Sequence, residues 1–221
     1  MTEPGTEAVF APLGARLAPL IAVAVAILSQ VLMRDRIAVG PRLLVPVIEV
    51  ALVAALVLCD GVLQAQRRRA GILRYALALV LAVSCTSSAT LLIADLLRTR
   101  PVSVQVLLGE GVQILVVLVV GFALLFWQLD RGGPDGRVRP DPERLSFWFT
   151  QDGIREYSDD FQYWQPQFLD YLYLAITNIV AFSPTDTLPL TRTAKMLMAW
   201  QSAVALATFA VVLARAINIL T

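Results

Sequence analysis

The chain has 221 residues, is 57% hydrophobic and 16% charged, and carries a net charge of +1 with a mean hydropathy of +0.70. That composition lies outside the range of soluble domains, and a near-neutral charge gives no basis for binding nucleic acid. Histidine is absent, which excludes a serine-histidine hydrolase, a histidine-ligated haem and the common zinc-hydrolase patterns.

Taken in chain order, apolar runs cover residues 17–33, 43–59, 75–97, 104–127 and 196–220. Each approaches or exceeds the roughly 20 residues that cross a hydrocarbon core about 30 Å thick. The first run follows Glu3 and Glu7 rather than basic residues and precedes no small-residue cleavage site, so it reads as a retained span. Cys59 and Cys85 fall inside apolar runs and read as small packing residues. Arg67, Arg68, Arg69 and Arg74 at the head of the third run read as an orientation signal before a lipid-headgroup site. The small polar patch from Ser84 to Thr90 reads as close helix packing before a substrate site.

Residues 129–167 hold five arginines against eight acids together with seven aromatic residues, Phe147, Trp148, Phe149, Tyr157, Phe161, Tyr163 and Trp164. The segment is too charged for lipid and too aromatic for a plain linker, so an ordered loop at the membrane interface is expected. The next segment, FLDYLYLAITNIVAF at 168–182, would form a helix of only about 22 Å. Asp170 sits near its positive end, and Thr177 and Asn178 interrupt its apolar character. It reads as a half-helix that turns back. Thr191 is placed to cap the last span.

The expectation is therefore an all-α membrane protein, multi-pass in the cell membrane, with about five transmembrane helices plus a short re-entrant segment before the last span. Its divisions are a four-helix region at 1–128, an interfacial loop at 129–167 and a C-terminal unit at 168–221. The partners expected are the lipid bilayer, further copies of the chain and small ions. Without a nucleophile and base pair or a metal-ligand cluster, neither an enzyme nor a cofactor site is expected.

The C-terminal unit resembles the pore module of potassium channels, in which a short pore helix, a filter loop and an inner helix follow one another. In those modules an aromatic residue precedes an Asp by thirteen positions, and a Pro-x-Thr follows the Asp; here Tyr173, Asp186, Pro189 and Thr191 stand at those places. The five filter positions read Ala181, Phe182, Ser183, Pro184 and Thr185. Glycines that aim backbone carbonyls at the axis are missing, and Pro184 fixes φ near −65°, so a carbonyl ladder is not expected. The resemblance implies that ions would meet the hydroxyls of Ser183, Thr185 and Thr187 and the carboxylate of Asp186. Over more of its length, in GPRLLVPVIE, WQLDRGGP and the run 168–202, the chain resembles a family of uncharacterised bacterial integral membrane proteins carrying a domain of unknown function. That resemblance implies a fold and no activity.

Glu49, Asp95, Glu110 and Arg215 are ionisable groups inside apolar runs, where such groups face the bundle and need partners. With a re-entrant segment all four fall in one leaflet, and Arg215 is expected to pair with Glu49 or Glu110. A packing salt bridge is the simpler role for them, an ion or proton path the other.

Overall fold

The computed structural model describes residues 13–33, 38, 40–41, 43–62, 67–97, 103–136, 145–154, 157, 161–162, 164–181 and 186–220. They are mostly helical. The long helices are α1 (Leu13–Leu32), α2 (Leu44–Val62), α3 (Arg67–Leu97), α4 (Val104–Leu129) and α8 (Arg192–Leu220). Between α4 and α8 come a 3-10 turn (Asp130–Gly132), the four-residue helices α5 (Gly133–Gly136) and α6 (Thr150–Gly153), the half-length α7 (Phe168–Val180), and two short strands, β1 (Phe147–Phe149) and β2 (Thr187–Pro189). Three stretches, Arg69–Leu96, Val104–Gly132 and Arg192–Ile219, are long and apolar enough to cross a membrane. The apolar parts of α1 and α2, Leu17–Leu32 and Leu44–Leu58, are shorter.

α4 is the axis of the packing and touches α1, α3, α7 and α8. From Gln113 on none of its residues is exposed, which matches its apolar character all round, while Leu108 and Val112 near its start stand outward. Two glycines let neighbours close on it. A Cβ at Gly121 would come within 3.1 Å of the Ala82 backbone nitrogen on α3, and one at Gly111 within 3.2 Å of Val212 on α8. The outer faces are apolar as well: Ile21 and Leu28 on α1, Val47 and Leu58 on α2, and Met196, Leu206 and Ile217 on α8 are all exposed.

The contacts also set the direction of each helix. The Tyr75 hydroxyl donates to the Gln128 carbonyl at 2.7 Å, and Gly121 meets Ala82, so α3 and α4 run antiparallel. Gly111 meets Val212 while Phe122 meets Trp200 edge to face at 5.3 Å, so α4 and α8 run antiparallel too. The end of α4 and the start of α8 therefore share one end of the bundle. α7 starts there as well, with Phe168 against Trp127 at 5.5 Å and Tyr171 on Asp130. Thirteen residues rising about 1.5 Å each carry α7 roughly 20 Å inward. By Thr187 the chain is back at the end it left, because β2 pairs antiparallel with β1 in the register Phe147↔Pro189, Trp148↔Leu188 and Phe149↔Thr187.

Segment 129–167 is ordered in its described part. Alternate residues of a strand point to one face, and here Phe147 and Phe149 share the face turned inward. Both are buried, against Phe126 at 5.3 Å, Tyr171 at 5.4 Å and Trp164 at 5.7 Å. Tyr157 does stand outward. Pairing with β2 satisfies the strand backbone, so the rings of Phe147 and Phe149 pack as core. Tyr163 lies outside the described residues.

Candidate functional site

The C-terminal unit is built on the turn that ends α4. Arg131, Gly132 and Gly133 follow one another at φ of 54°, 72° and 74°, three successive left-handed residues that reverse the chain sharply. Glycine carries no steric penalty there, whereas Arg131 does. Gly133 is required twice over, since a Cβ on it would also lie 2.8 Å from Gln128 Oε1.

This reversal aims Asp130 into the structure. Its Oδ1 accepts the backbone N–H groups of Ser146 at 2.7 Å and Phe147 at 3.1 Å. Its Oδ2 accepts the Tyr171 hydroxyl at 2.6 Å and Arg131 Nε at 3.2 Å. Arg131 in turn pairs with Asp152, which also accepts the Phe149 N–H at 3.2 Å. One fully buried carboxylate thus ties the end of α4, the start of β1 and the first turn of α7 together. Charge-assisted bonds of this kind are shorter and stronger than neutral ones. With donors on both oxygens Asp130 positions other groups and has little capacity left for a ligand.

Deeper in, two buried amides lock α7 to α8. Asn178 Nδ2 donates to the Met198 carbonyl at 3.0 Å and to Gln201 Oε1 at 2.9 Å, and Gln201 Nε2 donates to the Ala175 carbonyl at 3.0 Å. The ends are closed: Asp170 accepts the Gln167 N–H at 2.6 Å at the head of α7, and Thr191, the cap expected from the sequence, accepts the Ala194 N–H on Oγ1 at 3.2 Å at the head of α8.

Of the four residues of the expected pore loop, Ser183 and Thr185 lie outside the described residues. Thr187 is 2% exposed and sits in β2 opposite Phe149, so within one chain its side chain faces the interior. Asp186 is half-buried at the start of β2; its carbonyl accepts the Thr150 N–H at 3.1 Å. Its Oδ1 is enclosed without a hydrogen-bond partner among the described residues. Of the two described members, Asp186 is therefore the one with coordinating capacity to spare.

Asp95, Glu110 and Arg215 stand at the end of the bundle opposite Asp130, whereas Glu49 sits near Cys85, ten residues or roughly 15 Å along α3 from Asp95. Glu49 and Glu110 stand early in α2 and α4, while Asp95 and Arg215 stand late in α3 and α8. Glu49, Asp95 and Glu110 are buried. The meeting of Gly111 with Val212 sets Glu110 and Arg215 at about the same level, one residue and three residues from that contact. For Glu49 the expected arginine is replaced by an amide: Gln30 Nε2 donates to both of its carboxyl oxygens, at 2.8 and 3.0 Å.

Reading along the chain overlooked Asp130, Gln201 and Gln30. The first was counted among the charges of a loop, although an acid directly after an apolar run and before Arg-Gly-Gly is a cue to a capped reversal. The two glutamines are single polar residues inside apolar runs, and such residues do signal interhelical bonds. Among the described residues no group of three or more His, Cys, Asp or Glu side chains is placed to hold a metal. No family model, no curated protein and no solved structure matches the chain, so the two resemblances drawn from its residues gain and lose nothing by comparison.

Proposed function

We propose that the chain is a multi-pass protein of the cell membrane, with α1, α2, α3, α4 and α8 as five spans and α7 as a re-entrant half-helix. In an oligomer its C-terminal unit lines an ion pathway that does not prefer potassium. The observation that carries this reading is the return of the chain: α7 enters at the Asp130 end, and β2 is back at that end before α8 enters again. In a bilayer a segment of about 20 Å that turns back is tolerated where it is buried in protein or lines a cavity. The apolar outer faces of α1, α2 and α8 suit lipid. Asp186 stands on the returning limb with a carboxylate oxygen that has no donor among the described residues, and a ring of such carboxylates from several copies would attract cations.

The inward-facing Thr187 favours a second reading, in which the same unit is a non-conducting scaffold and the returning limb only packs helices. Cation flux into liposomes containing the purified protein separates the two. A pathway predicts flux with little preference between potassium and sodium, reduced more by Asp186→Asn than by Thr187→Ala. An oligomer without flux under any ionic condition leaves the scaffold, and a strongly potassium-selective current refutes the reading of residues 181–185.

A further inference from the structure

The outward face of the β1–β2 ribbon is apolar. Trp148 and Leu188 pair directly across the two strands, on the face opposite the buried Phe147 and Phe149. The Trp148 ring lies over Gly153, where a Cβ would stand 2.6 Å from its Cζ2. The ladder continues one residue past β2. The Leu190 N–H donates to the Ser146 carbonyl at 2.8 Å, so Leu190 follows Leu188 on the outer face, and both leucines are exposed.

α8 begins two residues later. Arg192 and Lys195, three residues apart, share its outer side, and exposed Met196, Ala199 and Leu206 carry that side onward at helical spacing. The opposite side, with Ala194 and Met198, is buried. α8 is long and apolar enough to cross a membrane, so the two cations head an apolar stripe in the order in which headgroups stand above acyl chains. Neither cation has a carboxylate partner among the described residues. The described acids of that end are engaged or remote. Asp130 and Asp152 both bond Arg131, and Asp170 closes the head of α7. Asp186 begins the β2 limb, four residues or roughly 13 Å from Leu190 along an extended chain.

We infer that this surface binds an anionic phospholipid. Its phosphate lies between Arg192 and Lys195, an acyl chain follows Met196, Ala199 and Leu206, and Trp148, Leu188 and Leu190 sit in the interfacial layer beside it. Charge complementarity and the continuity of the apolar stripe select a lipid over a soluble anion. Free phosphate would meet the cations and leave the leucines bare, whereas a phospholipid brings charge and hydrocarbon in the order that the chain presents them. The inference rests on α8 crossing the bilayer and not on the C-terminal unit conducting ions.

The test uses the full-length protein with Cys59 and Cys85 replaced by serine and a bimane fluorophore attached at Leu188→Cys, reconstituted into phosphatidylcholine vesicles. Phosphatidylglycerol and phosphatidylcholine, each carrying a nitroxide high on the acyl chain, are compared as quenchers. A basic residue near a charged lipid surface is worth about a fivefold preference, so phosphatidylglycerol should quench at a mole fraction roughly 5- to 25-fold lower. Arg192→Gln with Lys195→Gln should bring the two lipids level. Should the double variant fail to insert, the two single variants decide, each losing about fivefold. Equal quenching by both lipids in the labelled parent, or a preference that survives the substitutions, overturns the inference. So does quenching by neither lipid together with disulfide cross-linking of unlabelled Leu188→Cys chains, which would put a second copy on this face. These failures leave α8 as a span as long as the protein floats with the vesicles after an alkaline wash. A chain that washes off overturns the spanning reading and the lipid site with it.

Discussion

Asp130 shows how much a single buried side chain organises. Removing it leaves two backbone N–H groups, the Tyr171 hydroxyl and Arg131 without their acceptor. Breaking a buried, hydrogen-bonded charge pair costs about 3–5 kcal/mol, so Asp130→Ala should lower unfolding free energy by that much in chemical denaturation from mixed micelles. Tyr171→Phe removes one bond to a charged acceptor and should cost about 1.5–3 kcal/mol. If Asp130→Ala is no worse than Tyr171→Phe, the carboxylate does not hold the segments together as described. The same turn gives a backbone test. Gly133→Ala puts a Cβ at φ 74° and should cost at least about 1 kcal/mol, most of it strain, because the nearest atom is the movable end of Gln128.

At the scale of elements the question is what keeps a half-helix in place. α7 is 13 residues long, too short to be stable by propensity alone, so its packing must hold it. Asn178 and Gln201 exchange bonds with each other and with the facing backbone. Gln201→Leu strands one N–H of Asn178 and removes the second bond to the Ala175 carbonyl, and should cost about 1–3 kcal/mol. The double variant Asn178→Leu with Gln201→Leu should cost less than the sum of the singles, because neither leaves the other unpaired; strict additivity would show that the two amides act independently. The path of the chain is open to a separate measurement. Gln165 and Arg192 are both exposed at the Asp130 end. With Cys59 and Cys85 replaced by serine, cysteines at those two positions should react with an impermeant thiol reagent from the same side of a sealed vesicle. Labelling from opposite sides would mean that α7 crosses.

The described residues present apolar surface around α1, α2, α7 and α8, and a small cavity beside Gln30 lies away from the C-terminal unit. An ion pathway at the C-terminal unit therefore needs several copies with their α7 and Asp186 limbs gathered about an axis. In mild detergent the protein should run as an oligomer whose cysteine cross-links at Tyr173 and Val180, both exposed on α7, join copies. A monomer at all concentrations would remove the pathway and leave the scaffold.

Much of this architecture is legible along the chain because it depends on local chemistry. Apolar runs long enough to span follow from composition, and the cap at Thr191 from short-range spacing. The placement of Asp95, Glu110 and Arg215 at one end follows from the alternating directions of α3, α4 and α8, whereas Glu49 stands roughly 15 Å away along the bundle, near Cys85. Partner choice does not follow, since it joins residues far apart in sequence. Glu49 could have met Arg215, but α1 lies against α2 and supplies Gln30 instead. Phe147 and Phe149 have the composition of an interfacial belt, yet a strand partner 40 residues away gives their backbone its hydrogen bonds and lets the rings enter the core. Asp130 reads as one loop charge among eight acids until the left-handed turn at Arg131 aims it at β1 and Tyr171. Length, hydropathy and capping are sums over neighbours, and the sequence by itself determines them; which buried polar group meets which depends on helix directions and close approaches that only the assembled bundle decides.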